Sequence, residues 1–433
     1  MSILEQYSAN DQARQLHASR ARTRALTRDI RGERLFGPRL SVVNPVLWEL
    51  GHIAWFQEFW CLRWRGDDSL APSVLPQADA LYDSSAIAHD LRWDLPLPVL
   101  EATLAYQDRV LDLVLTRVQR DCDNPDLAYF VQLAIFHEDM HAEALHYTRQ
   151  TLAYAAPQLP LQEADLPIAQ AAEAGGDVCV AGGRYLLGAA RGPGFVFDNE
   201  KWEHAVDVPT FRIARCSVSN AQYAEFVEDR GYLRREFWSE AGWHWLQQSA
   251  AQTPRYWRKL DGRWQQRRFD AWLPLPLREP VIHVNWHEAQ AYCRYASRRL
   301  PHEAEWEMAA AGSVAAAKRR YPWGDATPDA RRANLEGNAP VPVDALPAGA
   351  SAHGCRQLIG NVWEWTDTTF GPYPGFEPDP YKEYSQPWFD THKVLRGGSF
   401  ATPARLIRNT WRNFYTPERD DIFAGFRTCA IET

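Results

Sequence analysis

The stretch that decides the fold of the N-terminal half is residues 124–155, NPDLAYFVQLAIFHEDMHAEALHYTRQTLAYA. Asn124 can cap a helix whose first residue, Pro125, has no amide hydrogen to lose. Apolar residues then recur at helical spacing, so the pattern predicts one long helix. His137 and His141 are four residues apart, and side chains at that spacing lie on one helix face. The rest of that face is apolar, so we expect both imidazoles to point into a packed interior.

This segment alone leaves several interpretations of the histidine pair open. A histidine on an apolar helix face is commonly a core residue, but two of them one turn apart favour a metal site, because the neutral imidazole is a frequent metal ligand. The same letters also match H-E-x-x-H, the motif of zinc proteases, with Glu138 as the general base. Short motifs match by chance, so the rest of the chain has to decide.

The composition excludes several classes of protein. A net charge of −8 over 433 residues argues against a nucleic-acid or anionic-membrane partner, since both call for a basic surface. The chain has no run of eighteen apolar residues and does not begin with a basic and then apolar signal sequence. Its seven cysteines are scattered without a C-x-x-C pair, as reduced thiols would be. We therefore expect a cytoplasmic protein.

Helical periodicity extends over most of the first 155 residues. It predicts four helices, at about 10–30, 44–64, 99–120 and 124–155. Four helices of this kind suggest an all-α four-helix bundle, and the core of a bundle is a usual place for metal ligands from facing helices.

His52 is a candidate third ligand, from the second predicted helix. It shares a helix face with aromatic residues, namely Trp48, Trp55, Phe56 and Phe59. By itself it could equally be a core histidine. Together with His137 and His141, it would complete a set of three neutral imidazoles that leaves open positions on a metal, as catalytic sites require.

The chain changes character after the fourth predicted helix. We place the helical bundle at 1–160, an Ala/Pro/Gln-rich linker at 161–176 and a second domain at 177–433. In the second domain glycine, proline and tryptophan are dense and turn signals are frequent, with helical patches at about 220–229 and 286–298. These features predict a mixed α+β domain with much irregular structure.

A set of phrases in the second half carries a specific resemblance. They are Phe195–Glu200 (FVFDNE), Val281–Trp286 (VIHVNW), Arg299–Glu307 (RLPHEAEWE), Gly360–Trp365 (GNVWEW), Leu395–Phe400 (LRGGSF) and Gly425–Arg427 (GFR). In this order they resemble the formylglycine-generating-enzyme-like domain, an irregular C-type-lectin-like fold. The first half resembles a DinB-like bundle with its H-x3-H-x-E signature. The fusion is similar to the ergothioneine-type sulfoxide synthases and to selenoneine synthase, over nearly the whole chain.

That resemblance implies a reaction and a metal. In the family, a three-histidine site binds Fe(II), and the enzyme uses O2 to join a chalcogen donor to C2 of the imidazole of hercynine, which is Nα-trimethylhistidine. Both substrates are small molecules. The iron ligands map to His52, His137 and His141. Glu143 is predicted to orient one of these histidines through a hydrogen bond.

The resemblance also assigns substrate residues in the second domain. The family's catalytic tyrosine lies in a Pro-Tyr-x-Glu-Tyr phrase, which makes Tyr381 the candidate. Tyr384 and Asn413 match positions that hold the carboxylate side of hercynine. Phe414 falls where an aromatic residue faces the trimethylammonium group, a cation without N–H donors that aromatic rings bind well.

Two positions depart from the family pattern. Members that take γ-glutamylcysteine have an aspartate where Tyr415 stands, although their nearby arginine is matched by Arg419. A tyrosine cannot pair with the amine of a glutamyl group as an aspartate does. A cysteine-type thiol or a selenosugar therefore fits this chain better as the donor. Met140 replaces an amide side chain between the ligand histidines and could alter how the substrate head is held.

Other functions remain possible on the sequence. A metal-dependent thiol transferase would need only the bundle, and a zinc protease would use Glu138. A formylglycine-generating oxidase needs cysteines near the Gly-Gly-Ser phrase, and the nearest, Cys355 and Cys429, are expected to be buried and inert. A non-catalytic ligand-binding domain is the remaining alternative for the C-terminal half. His283 and His287 are expected to be structural.

Overall fold

The computed structural model describes residues 7–66, 69–159, 175–192, 194–312 and 317–431. These residues form two compact units. The first extends to Leu152 and also includes Pro157–Leu159 and Arg191–Val196, and the second contains the remainder. The predicted linker, 161–176, lies outside the described residues except for Gly175 and Gly176.

The N-terminal unit is helical, as predicted. Its α-helices are α1 (Ala9–Thr27), α2 (Val46–Glu58), α3 (Ala78–Tyr82), α4 (Leu100–Arg120) and α5 (Pro125–Thr151). The four long helices begin and end within about four residues of the predicted limits, except that α2 continues as a π-helical turn, Phe59–Arg63. The sequence pattern did not predict the short α3. No helix among the described residues is both long enough and apolar enough to cross a bilayer.

The ends and faces of α5 and α2 follow from their residues. The Asn124 side chain accepts hydrogen bonds from the amides of Asp126 and Leu127, both at 3.0 Å, and Pro125 follows it as the first helical residue. Every one of the thirteen residues of α2 is buried. A helix surrounded on all sides carries aromatic residues all round rather than a single apolar stripe.

The C-terminal unit combines helices and small sheets. Its α-helices are α6 (Asn220–Glu228), α7 (Glu240–Ser249), α8 (Trp286–Tyr295) and α9 (Glu303–Ala311). Its strands are β1 (Asp177–Val180), β2 (Gly183–Leu187), β3 (His204–Val208), β4 (Phe211–Ala214), β5 (Trp257–Leu260), β6 (Arg263–Arg268), β7 (Ala271–Pro274), β8 (Arg298–Arg299), β9 (Trp363–Thr369), β10 (Lys393–Arg396), β11 (Asn413–Tyr415), β12 (Ala424–Gly425) and β13 (Cys429–Ala430). The mixed α+β class is confirmed, while α7 and α9 were not predicted.

The strands form several separate sheets. Two are four-stranded, with the orders β1-β4-β13-β8 and β11-β10-β9-β12, and β2-β3 and β5-β6-β7 form smaller antiparallel sheets. In the second four-stranded sheet, β12 runs parallel to β9 and the other pairs are antiparallel. This sheet places the Asn413–Tyr415 strand at an edge, where its side chains are half-buried.

The phrases that carry the family resemblance meet through buried ion pairs. Glu364 accepts two hydrogen bonds from the Arg427 guanidinium, at 2.6 and 2.8 Å, and a third from the Trp306 indole at 2.7 Å. Nη2 of Arg396 donates a hydrogen bond to Oε2 of Glu307, and both of these side chains are fully buried. A bidentate arginine–carboxylate pair fixes two loops in one geometry, so these residues hold short strands and irregular segments together.

Replacing Arg427 tests this architecture. Arg427→Met leaves Glu364 buried without its cation, and breaking a buried pair on one side costs about 3–5 kcal/mol of folding free energy. We expect the urea midpoint of tryptophan fluorescence to fall accordingly. Arg234→Met removes an exposed pair with Glu236 and should leave the midpoint unchanged. Equal midpoints for Arg427→Met and the unaltered protein would contradict the role of this pair.

Candidate metal centre and binding residues

The structure brings the three predicted metal ligands together in the N-terminal unit. The ligand nitrogens of His52, His137 and His141 all lie within 4.8 Å of one another. Within the described ranges, no other set of three or more histidine, cysteine or acidic side chains converges in this way. The Nε2 atoms of His137 and His141 are 3.2 Å apart.

Aromatic rings fix two of the three imidazoles. Trp48, one turn before His52 on α2, stacks on the His52 ring with 4.7 Å between centroids. Phe56, one turn after it, stacks on His137 of α5 with 3.5 Å between centroids and only 4° between planes. The aromatic residues one turn before and one turn after His52 on α2 therefore pack against two of the three histidines, and one of these histidines is on α5.

Hydrogen bonds set the tautomers of two ligands. Nδ1 of His52 lies 2.8 Å from the carbonyl oxygen of Tyr82, and because a carbonyl only accepts, Nδ1 carries the hydrogen. Nδ1 of His141 donates in the same way to the Glu49 carboxylate. In both rings the Nε2 lone pair is then available to a metal, as a ligand histidine requires.

The surroundings keep His52 and His137 neutral and the Glu49 carboxylate charged. Burial, together with the neighbouring His141, lowers the pKa of His52 to about 3. Burial also lowers the pKa of His137 well below its ordinary value. Burial alone would raise the pKa of Glu49, but the interaction with His141 and the hydrogen bonds from His141 and Asn44 outweigh it, so this pKa falls to about 2. At neutral pH His52 and His137 thus present neutral nitrogens beside an anionic Glu49, as the binding of a cation requires.

The distance between the ligand nitrogens of His137 and His141 fits a single metal ion. Two nitrogens bound at about 2.1 Å to one ion, at angles of about 90–110°, lie about 3.0–3.4 Å apart. The 3.2 Å between the Nε2 atoms of His137 and His141 falls in that range. Without a cation, a neutral His137 that carries its hydrogen on Nε2 can donate it to Nε2 of His141 at this distance. The three nitrogen donors suit divalent iron as well as zinc.

Glu49 is a site residue that the sequence analysis missed. It is 3% exposed and lies three residues before His52 on α2, so it shares the ligand face of that helix. The sequence did contain one indication of its role, because Glu49 is an acidic residue one turn from a candidate ligand. Its partner, His141, is 92 residues away in sequence, so local spacing could not identify the pair. The predicted orienting role of Glu143, which is also buried, remains a prediction.

The protease interpretation loses its general base in this structure. The Glu138 carboxylate accepts hydrogen bonds from Nε and Nη2 of Arg20, at 2.9 and 3.3 Å. Both side chains are at most 5% exposed. A carboxylate whose two oxygens both accept hydrogen bonds from a buried arginine is not free to take a proton from a water molecule.

In the C-terminal unit, the predicted catalytic and hercynine-binding residues form an aromatic cluster. The Tyr381 and Tyr384 rings are 6.2 Å apart, and Tyr384 meets Phe414 edge to face at 5.9 Å. Tyr384 also stacks on Phe197 at 4.4 Å. Asn413 adjoins Phe414 on β11, and its side-chain oxygen accepts a hydrogen bond from the Phe414 amide at 2.9 Å.

The two residues predicted to meet the donor contact each other. The Arg419 guanidinium lies over the Tyr415 ring, 4.9 Å from its centroid. The same guanidinium donates two hydrogen bonds, of 2.6 and 2.8 Å, to the fully buried Asp421. Its charge is therefore already balanced within the protein. Met140, the remaining predicted binding residue, is half-buried on α5 between His137 and His141.

The thiols do not resemble those of an oxidase. Burial raises the pKa of Cys355 to about 11 and also raises the pKa of Cys429. Both cysteines are buried and unbonded to another cysteine. A thiol that stays protonated at neutral pH is a poor nucleophile and metal ligand, so a formylglycine-generating reaction has no support here.

Two protein families match the chain. Residues 163–432 match the family described as "Sulfatase-modifying factor enzyme 1-like domain", and residues 15–145, which include all three histidines, match the "DinB superfamily". These matches agree with the α+β C-terminal unit and the helical N-terminal unit.

Several characterised proteins are similar in sequence. "Hercynine oxygenase" of Mycolicibacterium thermoresistibile is 41% identical, over 96% of this chain and 93% of that protein. "Hercynine oxygenase" of Mycobacterium tuberculosis is 39% identical, over 95% of this chain and 97% of that protein. "Formylglycine-generating enzyme" of Streptomyces coelicolor is 34% identical, but over 64% of this chain and 96% of that protein. Similarity to the first two thus extends through both units.

Single substitutions test the metal centre. Removing any one of the three imidazoles should reduce bound divalent metal from about one ion per chain to nearly none, because two nitrogens seldom hold a first-row ion against competing water. The variants are His52→Ala, His137→Ala and His141→Ala, with metal content measured by mass spectrometry after anaerobic loading with Fe(II). His17→Ala, at an exposed position on α1, is the control. Unchanged metal content in all three variants would refute the site.

Proposed function

The chain belongs to the hercynine oxygenase family, and on that premise we propose that this oxidoreductase joins a sulfur or selenium donor to C2 of the hercynine imidazole. The observation that carries the proposal is the convergence of His52, His137 and His141 in a chain about two-fifths identical to hercynine oxygenases along nearly its whole length. Fe(II) is the proposed metal, because the reaction reduces O2 and zinc has no redox chemistry. When bound, the iron supplies activation of O2 and a position for the donor anion.

The proposed reaction balances with one molecule of O2. The C2–H bond of the imidazole and the S–H or Se–H bond of the donor break, and a carbon–chalcogen bond forms, which removes two electrons. Oxidation of the chalcogen to its oxide removes two more. O2 accepts all four, so one oxygen atom goes to the chalcogen and the other leaves as water.

The protein's own residues prepare this step. Neutral imidazoles do not cancel the charge of a divalent ion, so the centre attracts the anionic form of a thiol or selenol. Tyr381 is the proposed proton donor to the reacting oxygen, since a phenol hydroxyl can donate a hydrogen bond and then the proton itself. Tyrosines and an asparagine beside it would orient the substrate.

Hercynine would be held by the aromatic cluster of β11 and the tyrosine segment. The Asn413 oxygen is occupied by the Phe414 amide, so the Asn413 NH2 group would donate to the hercynine carboxylate, together with the Tyr384 hydroxyl. One face of Phe414 stacks on Phe370 at 4.0 Å. Its other face would meet the trimethylammonium group, which needs a ring and not a hydrogen-bond acceptor.

The charges near Tyr415 favour a donor without a glutamyl group. γ-Glutamylcysteine brings an amine and carboxylates that would need an unpaired acid and an unpaired base. The Arg419 charge is balanced by Asp421, and a tyrosine stands in place of the acid. Free cysteine has fewer charged groups that need a partner than γ-glutamylcysteine has, and the sugar part of a selenosugar has only hydroxyl groups. We therefore propose a donor from one of these two classes.

A metal-dependent thiol transferase is the alternative function. The observation that favours it is that the whole histidine set lies within the segment that matches the DinB superfamily. Such an enzyme would act with zinc and without O2, so oxygen dependence separates the two functions.

A donor panel tests the main proposal. The Fe(II)-loaded protein is given hercynine with cysteine, γ-glutamylcysteine, thioglucose or selenoglucose, and O2 uptake and product masses are recorded. We expect C2-adducts and O2 consumption with cysteine or a chalcogen sugar and at least tenfold slower turnover with γ-glutamylcysteine. Tyr415→Asp restores an acid and should narrow that gap. Turnover in the absence of O2 would favour the transferase, and no product with any donor would refute the proposal.

Substitution of Tyr381 tests the proton-donor role. Tyr381→Phe keeps the ring but removes the hydroxyl, so kcat for the adduct should fall about 10²–10⁴-fold, or the donor should be oxidised instead, with little change in KM for hercynine. Tyr384→Phe should instead raise KM, and Tyr295→Phe, whose hydroxyl bonds to Asp229, should change neither constant. A normal kcat and a normal product ratio for Tyr381→Phe would remove the assigned role.

A further inference from the structure

The carboxylate of Glu49 contacts one of the candidate ligand histidines of the N-terminal unit and is held from two sides. One oxygen accepts the hydrogen bond from Nδ1 of His141. The other accepts a 2.6 Å hydrogen bond from the side-chain NH2 of Asn44, whose oxygen in turn accepts a 2.7 Å hydrogen bond from Nη1 of Arg92. An anion buried to this extent is stable only with such partners.

Arg92 also contacts an aromatic residue that packs against His52. Its guanidinium lies over the Trp48 indole, 4.1 Å from the ring centroid. The Trp48 ring stacks on His52 with 10° between the planes, and its Nε1 donates to the carbonyl of Leu81, next to the Tyr82 carbonyl that accepts from His52. Arg92 therefore supports His141 through polar groups and His52 through an aromatic ring.

We propose that Glu49, held by Asn44 and Arg92, is a positioning residue that fixes the ring of His141 and lowers the net charge of the metal centre. The proposal rests on the metal site of the proposed function. A buried anion bonded to Nδ1 makes Nε2 of the same ring a stronger electron donor, and loss of such a partner commonly weakens metal binding about 10–100-fold.

The arrangement separates a charge effect from a packing effect. Glu49→Gln keeps the volume and an oxygen that accepts from His141 but removes the charge, whereas Glu49→Ala removes both. If Glu49 only filled space, the glutamine variant would behave like the unaltered protein. If the carboxylate charge matters, both variants should bind metal more weakly, and the alanine variant should be the weaker of the two.

Cobalt(II) binding measures this without any turnover. The full chain and the variants Glu49→Gln, Glu49→Ala and Glu58→Gln are titrated anaerobically with Co(II) against a chelator, and the visible ligand-field bands are recorded. Glu58 is the matched control, since it is equally buried on α2 but bonds to Tyr106 and Ser73 and to none of the histidines. We expect Glu49→Gln to lose about 10–100-fold in affinity with shifted bands, and Glu58→Gln to keep both.

The outcomes distinguish this inference from the proposed function. Unchanged affinity and bands in Glu49→Gln would overturn the inference and leave the metal site intact. An equal loss in Glu58→Gln would also overturn it, because the loss would then reflect a weakened α2. Failure of the unaltered protein to bind Co(II) or Fe(II) would overturn the proposed function and the inference together.

Discussion

Burial of polar groups around the three imidazoles is the constraint on which the N-terminal unit depends. Each of these groups would cost several kcal/mol if it were buried without a partner, at about 2–7 kcal/mol for a neutral polar group. The helices meet this cost with specific pairs: Glu49 with His141, His52 with the Tyr82 carbonyl, and Arg20 with Glu138. Because these bonds do not involve a metal, the imidazoles are already oriented for binding, and little reorganisation is needed when an ion arrives.

In the C-terminal unit, buried ion pairs hold the short strands and loops in place. Its strands are short, so hydrogen bonds between strands cannot define the fold alone. Glu364 with Arg427, and Glu307 with Arg396, join segments that are far apart in sequence. The strand that presents Asn413 and Phe414 pairs with β10, whose last residue is Arg396. The buried charges thus support the edge at which the proposed substrate residues stand.

On the proposed function, in which Arg419 and the position of Tyr415 face the donor, one substitution is enough to change the charges that the donor meets. A single acid at the position of Tyr415 would change which charges near Arg419 are unbalanced, without any change in the helices or sheets. Donor choice would then be separable from the metal centre, whose residues lie on α2 and α5. This separation is consistent with the general finding that function resides in sites placed on a shared scaffold.

Local patterns in the sequence were sufficient to predict much of the structure of this protein. Helical spacing predicted the long helices, put His137 and His141 on one face and pointed His52 inward, because periodicity and capping act within a few residues. The short helices α3, α7 and α9 carry too few periodic residues to be recognised. Only the tertiary structure showed that Glu49 accepts a hydrogen bond from His141, that Arg20 forms an ion pair with Glu138, and that Asp421 balances the charge of Arg419. Which acid and base pair with each other depends on how the helices and loops pack, and local periodicity carries no information about that.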